Sequence, residues 1–174
     1  TTLTLTAAAV NEGADITISA SVDNAPQDTD LVITLDNGQI ITIAVGTTTG
    51  SVTFANPNGE DVYLDDETLV FGVNSAVGGN YENLVSPADV SVVVNDTIDD
   101  STLTLTAAAV NEGADITISA SVDNAPQDSD LVITLDNGQI ITIAFGTTPR
   151  TVRSTLLPCK ALYRYDETLV FGVN

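Results

Sequence analysis

The chain contains no histidine, tryptophan or methionine, and its 174 residues include one cysteine and four basic side chains. Each shortage closes a route. Without histidine and with only Cys159, nitrogen and sulfur ligation of zinc or copper has almost nothing to work with. A lone cysteine also forbids a disulfide within the chain. The scarcity of lysine and arginine removes the footprint that displaces counterions from nucleic acid, and the one that docks on anionic lipid. No apolar run approaches the roughly 18 residues of a membrane span, and no basic-then-apolar leader opens the sequence. Neither nucleic acid nor direct membrane contact is expected, and an export address would lie outside these residues. Aromatic residues make up only 5%, so a core must rest on Val, Ile, Leu and Ala.

Catalysis is not expected either. There is no histidine, the intact first repeat has neither lysine nor cysteine, and no Gly-rich phosphate loop leads into a helix. Paired carboxylates can cleave glycosides when held about 5–10 Å apart in a cleft. Here the acids fall in expected loops and recur along the chain.

What the chain does have is acid and repetition. Its 24 acidic side chains give a formal charge of −20, and no lysine or arginine occurs between Thr1 and Thr148. Hydrophobic content of 43% is that of a folded protein rather than a disordered acidic tail. Thr2–Thr48 and Thr102–Thr148 agree at 45 of 47 positions, differing only at Thr29/Ser129 and Val45/Phe145. "DETLVFGVN" then recurs at 66–74 and 166–174, so the period is 100 residues.

This divides the chain into a complete repeat at 1–98, an acidic linker at 99–101 and a second repeat at 102–174. The second repeat stops before its last strand and diverges at 149–165. That window, "PRTVRSTLLPCKALYRY", holds every basic residue and the cysteine. So sharp a break at constant length is the pattern of a compensated frameshift or sequence error, not of an evolved basic site. It also puts Ser154 where Phe54 stands. With a core residue replaced and a strand missing, the second repeat is expected to be the weaker unit.

Period-2 alternation of Thr/Ser with Val/Ile/Leu predicts strands near 2–8, 14–22, 30–36, 39–45, 50–55, 67–73 and 88–95. Asn37-Gly38 predicts a two-residue type I′ hairpin, and "VGGNYENL" (77–84) reads as the loop between the last two strands. The fold class expected is all-β: tandem immunoglobulin-like Greek-key β-sandwiches with about seven strands per repeat.

If those strands alternate in direction, the acids gather. Glu12 and Asp15, then Glu60, Asp61, Asp65, Asp66 and Glu67, and finally Asp96, Asp99 and Asp100 fall at one pole of the first repeat. Asp128 and Asp130, with Asp123 nearby, fall at the opposite pole of the second. Such crowding is strongly repulsive without cations. Ca²⁺ accepts six to eight oxygen ligands at about 2.3–2.6 Å in flexible geometry, whereas Mg²⁺ prefers more water. Calcium is therefore the expected cofactor, held by Glu12, Asp65, Asp66, Glu67, Asp96, Asp99, Asp100, Asp128 and Asp130, with neighbouring repeats as partners. The bland reading is a solvated acidic face that merely confers solubility.

The order "NEGAD", "LDDE" (64–67), "NDTIDD" (95–100) and "DSD" (128–130) resembles the calcium-sharing joints of cadherins. In the second repeat "LDDE" becomes "RYDE", leaving no equivalent of Asp65. The whole repeat resembles the immunoglobulin-like tandem modules of giant adhesins exported by type I secretion in Gram-negative bacteria. "VNEGADITISASV", "ITLDNGQIITIAVGTTTGSVTF", "VYLDDETLVFGV", "AVGGNYENL" and "VNDTID" carry that resemblance. It implies an extracellular, cell-surface spacer in adhesion and biofilm formation, stiffened by calcium; such adhesins often end in calcium-binding nonapeptide repeats, whose signature is absent here. Two alternatives remain. One is a module that binds glycan or protein through its loops or through Tyr63 and Tyr81. The other is a fibre subunit formed by strand exchange with another copy.

Overall fold

A computed structural model describes residues 1–111, 113–154, 168 and 170–174. The chain forms two compact units, Thr1–Asp99 and Asp100–Asn174. All regular structure among the described residues is β-strand, and no helix there is long and apolar enough to cross a membrane.

In unit one the strands are β1 (Leu3–Ala7), β2 (Val10–Asn11), β3 (Ile16–Val22), β4 (Leu31–Leu35) and β5 (Ile40–Ile43), followed by β6 (Thr49–Phe54), β7 (Glu67–Phe71), β8 (Val73–Gly78) and β9 (Val90–Asn95). β3 lies between β1 and β6, antiparallel to both, in one layer of a β-sandwich. The other layer contains β2-β9-β7 and β5-β4-β8. Only Gly72 separates β7 from β8, so one chain segment serves both sets. The chain crosses between layers from β3 to β4 and returns from β5 to β6, as a Greek key requires.

The alternation in the sequence becomes the two sides of each strand. Along β3, Ile16, Ile18, Ala20 and Val22 are buried, while Thr17, Ser19 and Ser21 are exposed or half-buried. Leu31, Ile33 and Leu35 of β4 and Ile41 and Ile43 of β5 face them across one core. Full burial of one such side chain contributes about 1.5–3 kcal/mol, so this shared apolar interior is what holds the layers together. Phe54 and Phe71 meet edge to face at 5.4 Å within it.

Three sequence expectations need correction. The strand predicted near 2–8 is β1, paired with β3, but beyond it the chain shifts and adds an unexpected strand, β2, alongside β9 and parallel to it. The predicted loop begins later than expected, because Val77 and Gly78 belong to β8 and pair with Val32 and Leu31. A Cβ at Gly78 would clash with the Asp30 carbonyl, so glycine here serves close strand packing.

The hairpin is also not type I′. Gly38 has φ 83°, but Asn37 is not among the positive-φ residues. Leu35 N–H donates to the Gln39 carbonyl at 2.8 Å and Gly38 N–H to the Leu35 carbonyl at 3.0 Å. These bonds make a three-residue loop of turn plus left-handed glycine. Asp36 is drawn into the loop by its own pairing: its N–H donates to the Gly72 carbonyl, and Gly72 N–H donates to its carboxylate at 2.9 Å.

Unit two repeats this pattern with β10 (Leu103–Ala107), β11 (Ile116–Val122), β12 (Leu131–Thr134), β13 (Ile140–Ile143) and β14 (Pro149–Ser154). The registers correspond: Leu103↔Val122 and Ile116↔Ser154 mirror Leu3↔Val22 and Ile16↔Phe54. Leu103, Leu105, Ile116 and Leu131 are half-buried, whereas Leu3, Leu5, Ile16 and Leu31 are buried. The expected packing loss at the Ser154 side chain and the altered "RYDE" segment (164–167) lie outside the described residues and side chains.

Candidate metal centre

Three strand ends assemble a carboxylate cluster at one pole of unit one. The parallel pairing Val10↔Val94 and Asn11↔Asn95 carries the chain straight into Glu12 and Asp96, side by side. Glu12 N–H donates to the Asn95 carbonyl at 3.0 Å and fixes that alignment. The Glu67↔Val94 register of β7 brings Asp65 and Asp66 to the same end. One carboxylate oxygen from each of Glu12, Asp65 and Asp96 then lies within 4.8 Å of the others.

Glu12 is unlike an ordinary surface acid. It is 4% exposed and is the buried charged residue of the described chain. Its Oε1 and the Asp96 Oδ1 are buried without a hydrogen-bond partner. Burial pushes the Glu12 carboxyl up to about 7, helped by a hydrogen bond to Asp65 and by the charges of Asp65 and Asp96. Only Thr97 works the other way, its N–H donating to Glu12 Oε2 at 3.4 Å. An isolated buried carboxylate is costly unless it is neutralised, paired or bound to a cation.

The wall around the cluster is made locally. Thr97 donates its hydroxyl to Glu60, and Asp96 N–H donates to Asp66 Oδ1 at 2.8 Å. Gly13 (φ 66°) donates its N–H to the Asn58 carbonyl at 3.2 Å. A Cβ there would sit 3.3 Å from the Glu60 Cβ, so glycine lets the 55–66 segment close over Glu12. The donors are all oxygen, as a hard cation such as Ca²⁺ prefers.

The remaining expected ligands occupy other places. Asp66 is engaged with the Asp96 amide. Glu67 is exposed at the first position of β7. Asp99 closes unit one and Asp100 opens unit two. Within unit two, Asp130 Oδ1 accepts the Phe145 amide at 2.9 Å, as Asp30 accepts Val45 in unit one. Asp128 sits at φ 65°, a strained turn position shared with Asp28. Asp28 accepts the Asn80 side chain at 2.7 Å. Thr97 was not singled out by the sequence, because only the pairing of β2 with β9 sets its amide beside Glu12.

The two tyrosines differ from open binding platforms. Tyr81 donates its hydroxyl to the Asn24 carbonyl at 2.7 Å and lies against Gly79. Tyr63 is half-buried, its amide held by Asp61 at 2.8 Å.

No curated protein and no solved structure matches the chain. The family model of the LapA domain matches residues 1–97 and again residues 99–170. Matched over nearly its whole length, and twice, the chain belongs to the LapA domain family, which ties it to large adhesins of biofilms at the cell surface.

Proposed function

We propose that these repeats are non-catalytic extender modules of a bacterial cell-surface adhesin, and that calcium stiffens them. The observation that carries the calcium reading is Glu12, almost fully buried beside Asp65 and Asp96 with an oxygen lacking any partner. A divalent cation there would offset the desolvation of Glu12 and tie together β2, the 55–66 segment and the end of β9. The ion would thus act within one repeat before it acts between repeats. Further stiffening at the junction rests on the sequence, which sets Asp99 and Asp100 there and Asp128 and Asp130 in the following repeat. Export by type I secretion and kinship with calcium-binding giant adhesins belong to the same reading. Family membership and the near-identity of the repeats support it, since a spacer needs length rather than local diversity.

Calorimetric titration of the chain with Ca²⁺, paired with melting in calcium and in chelator, tests it. Glu12→Gln and Asp96→Asn should each remove the heat of binding. A wild-type chain that takes up no calcium and melts identically in chelator would return the acids to solubility alone. The glycan-binding alternative draws less support, because the Tyr81 hydroxyl is committed to the Asn24 carbonyl.

A further inference from the structure

The sequence holds three Asn-Gly pairs, at 37–38, 58–59 and 137–138. Asparagine is chemically labile, most of all before glycine, where no Cβ bars the next backbone nitrogen from the asparagine side-chain carbon. The fold treats the three pairs differently. In the two hairpins both reacting groups are held. Gly38 N–H donates to the Leu35 carbonyl at 3.0 Å, and Asn37 Oδ1 accepts the Gln39 amide at 3.0 Å. Gly138 and Asn137 repeat this with Leu135 at 2.9 Å and Gln139 at 3.0 Å.

Gly59 is the opposite case. It is exposed, and no atom beyond its chain neighbours lies within 4 Å of where its Cβ would be. Among the described residues, none accepts from its N–H and none bonds to the Asn58 side chain. The main chain of Asn58 is fixed instead. Its N–H donates to Asn56 Oδ1 at 3.0 Å, and its carbonyl accepts the Gly13 N–H at 3.2 Å.

We propose that Asn58-Gly59 is a site of spontaneous deamidation, which slowly adds a carboxylate to the segment that closes over Glu12. Hydroxide removes the Gly59 N–H proton, and that nitrogen bonds to the Asn58 side-chain carbon. The bond from this carbon to the side-chain nitrogen breaks, ammonia leaves and a five-membered succinimide closes. Water then opens either ring carbonyl, giving aspartate or isoaspartate at position 58. Nothing is oxidised or reduced, and water is the sole co-reactant. The Gly13 bond favours the first step. The Asn58 carbonyl belongs to the same peptide group as the Gly59 nitrogen, so a donor there stabilises the charge left when the proton departs. In the hairpins the attacking nitrogen must first give up the Leu35 or Leu135 carbonyl. The aligned position in unit two is Pro158, so the change belongs to the intact repeat. It does not depend on calcium at Glu12.

Incubating the whole chain at pH 8 in chelator, with peptide mass mapping over time, tests this. A gain of about 1 Da should accumulate at Asn58, at least about tenfold faster than at Asn37 or Asn137, where two hydrogen bonds must break first. In urea the three sites should converge, because the fold alone separates them. Gly59→Ala places its Cβ in open space at an ordinary φ, so it should keep the melting temperature and suppress the change at Asn58. Equal rates at the three sites of the folded chain overturn the proposal. So does a folded chain inert at Asn58 while the unfolded one reacts, or a Gly59→Ala variant that gains mass like wild type.

Discussion

Glu12 shows how one buried acid couples the site to pH. Its ordinary value is 4.5 and its folded value about 7, so between those limits the folded state binds more protons than the unfolded one. Stability of the calcium-free protein should therefore fall as pH rises from about 4.5 to about 7. Melting in chelator at pH 5 and pH 8 checks this, with the higher melting temperature expected at pH 5. Glu12→Gln should flatten that difference and raise stability at pH 8, because the buried charge is gone. Asp23 and Asp123 behave oppositely. Each accepts the amide of the residue just before its unit's first strand, Thr2 at 2.9 Å and Thr102 at 2.8 Å, and that hydrogen bond holds each carboxyl below 3.8. Their contribution is present above pH 3.8 and is lost as pH drops through the folded values. Asp23→Asn and Asp123→Asn should soften the acid limb of the unfolding curve and leave the Glu12 window unchanged.

At the scale of elements, glycines separate local from non-local demands. Gly38 has φ 83° but open space around its missing Cβ. Gly78 has φ 95° and the Asp30 backbone carbonyl packed against it. Gly38→Ala should cost about 1 kcal/mol for the left-handed backbone alone. Gly78→Ala should cost more, about 2–3 kcal/mol, because β8 must also move off β4. Urea unfolding of both variants tests the ranking. The hairpin itself was legible from Asn37-Gly38, but its loop type was not. That choice turns on Asp36 binding Gly72, a partner 36 residues away. The same limit explains β2: Val10 and Asn11 carry no alternation long enough to mark a strand, and only the presence of β9 beside them makes one.

Across the whole molecule, nearly identical sequences reach unequal burial. Ile16 is fully buried and Ile116 half-buried: the two strands match and pair in the same register, but Ile16 lies opposite Phe54 and Ile116 opposite Ser154. Unit two is therefore expected to exchange its strand amides faster and to melt first, giving two transitions in calorimetry. Calcium should raise the transition of unit one, whose cluster includes Asp65; the aligned position in unit two is Tyr165. A single transition unaffected by calcium would contradict both expectations.

Period-2 alternation, the 100-residue repeat and the shortage of basic residues were enough to specify layered strands with apolar interiors. They also placed the acids at strand ends, because alternation is a property of each strand alone. Which strands pair, where the chain changes sheet and which carboxylate loses its water depend on contacts between segments far apart in sequence. Glu12 reads as one acid among 24 until the parallel β2–β9 pairing buries it against Asp96. Burial is a property of packed segments, and no local pattern of residues encodes it.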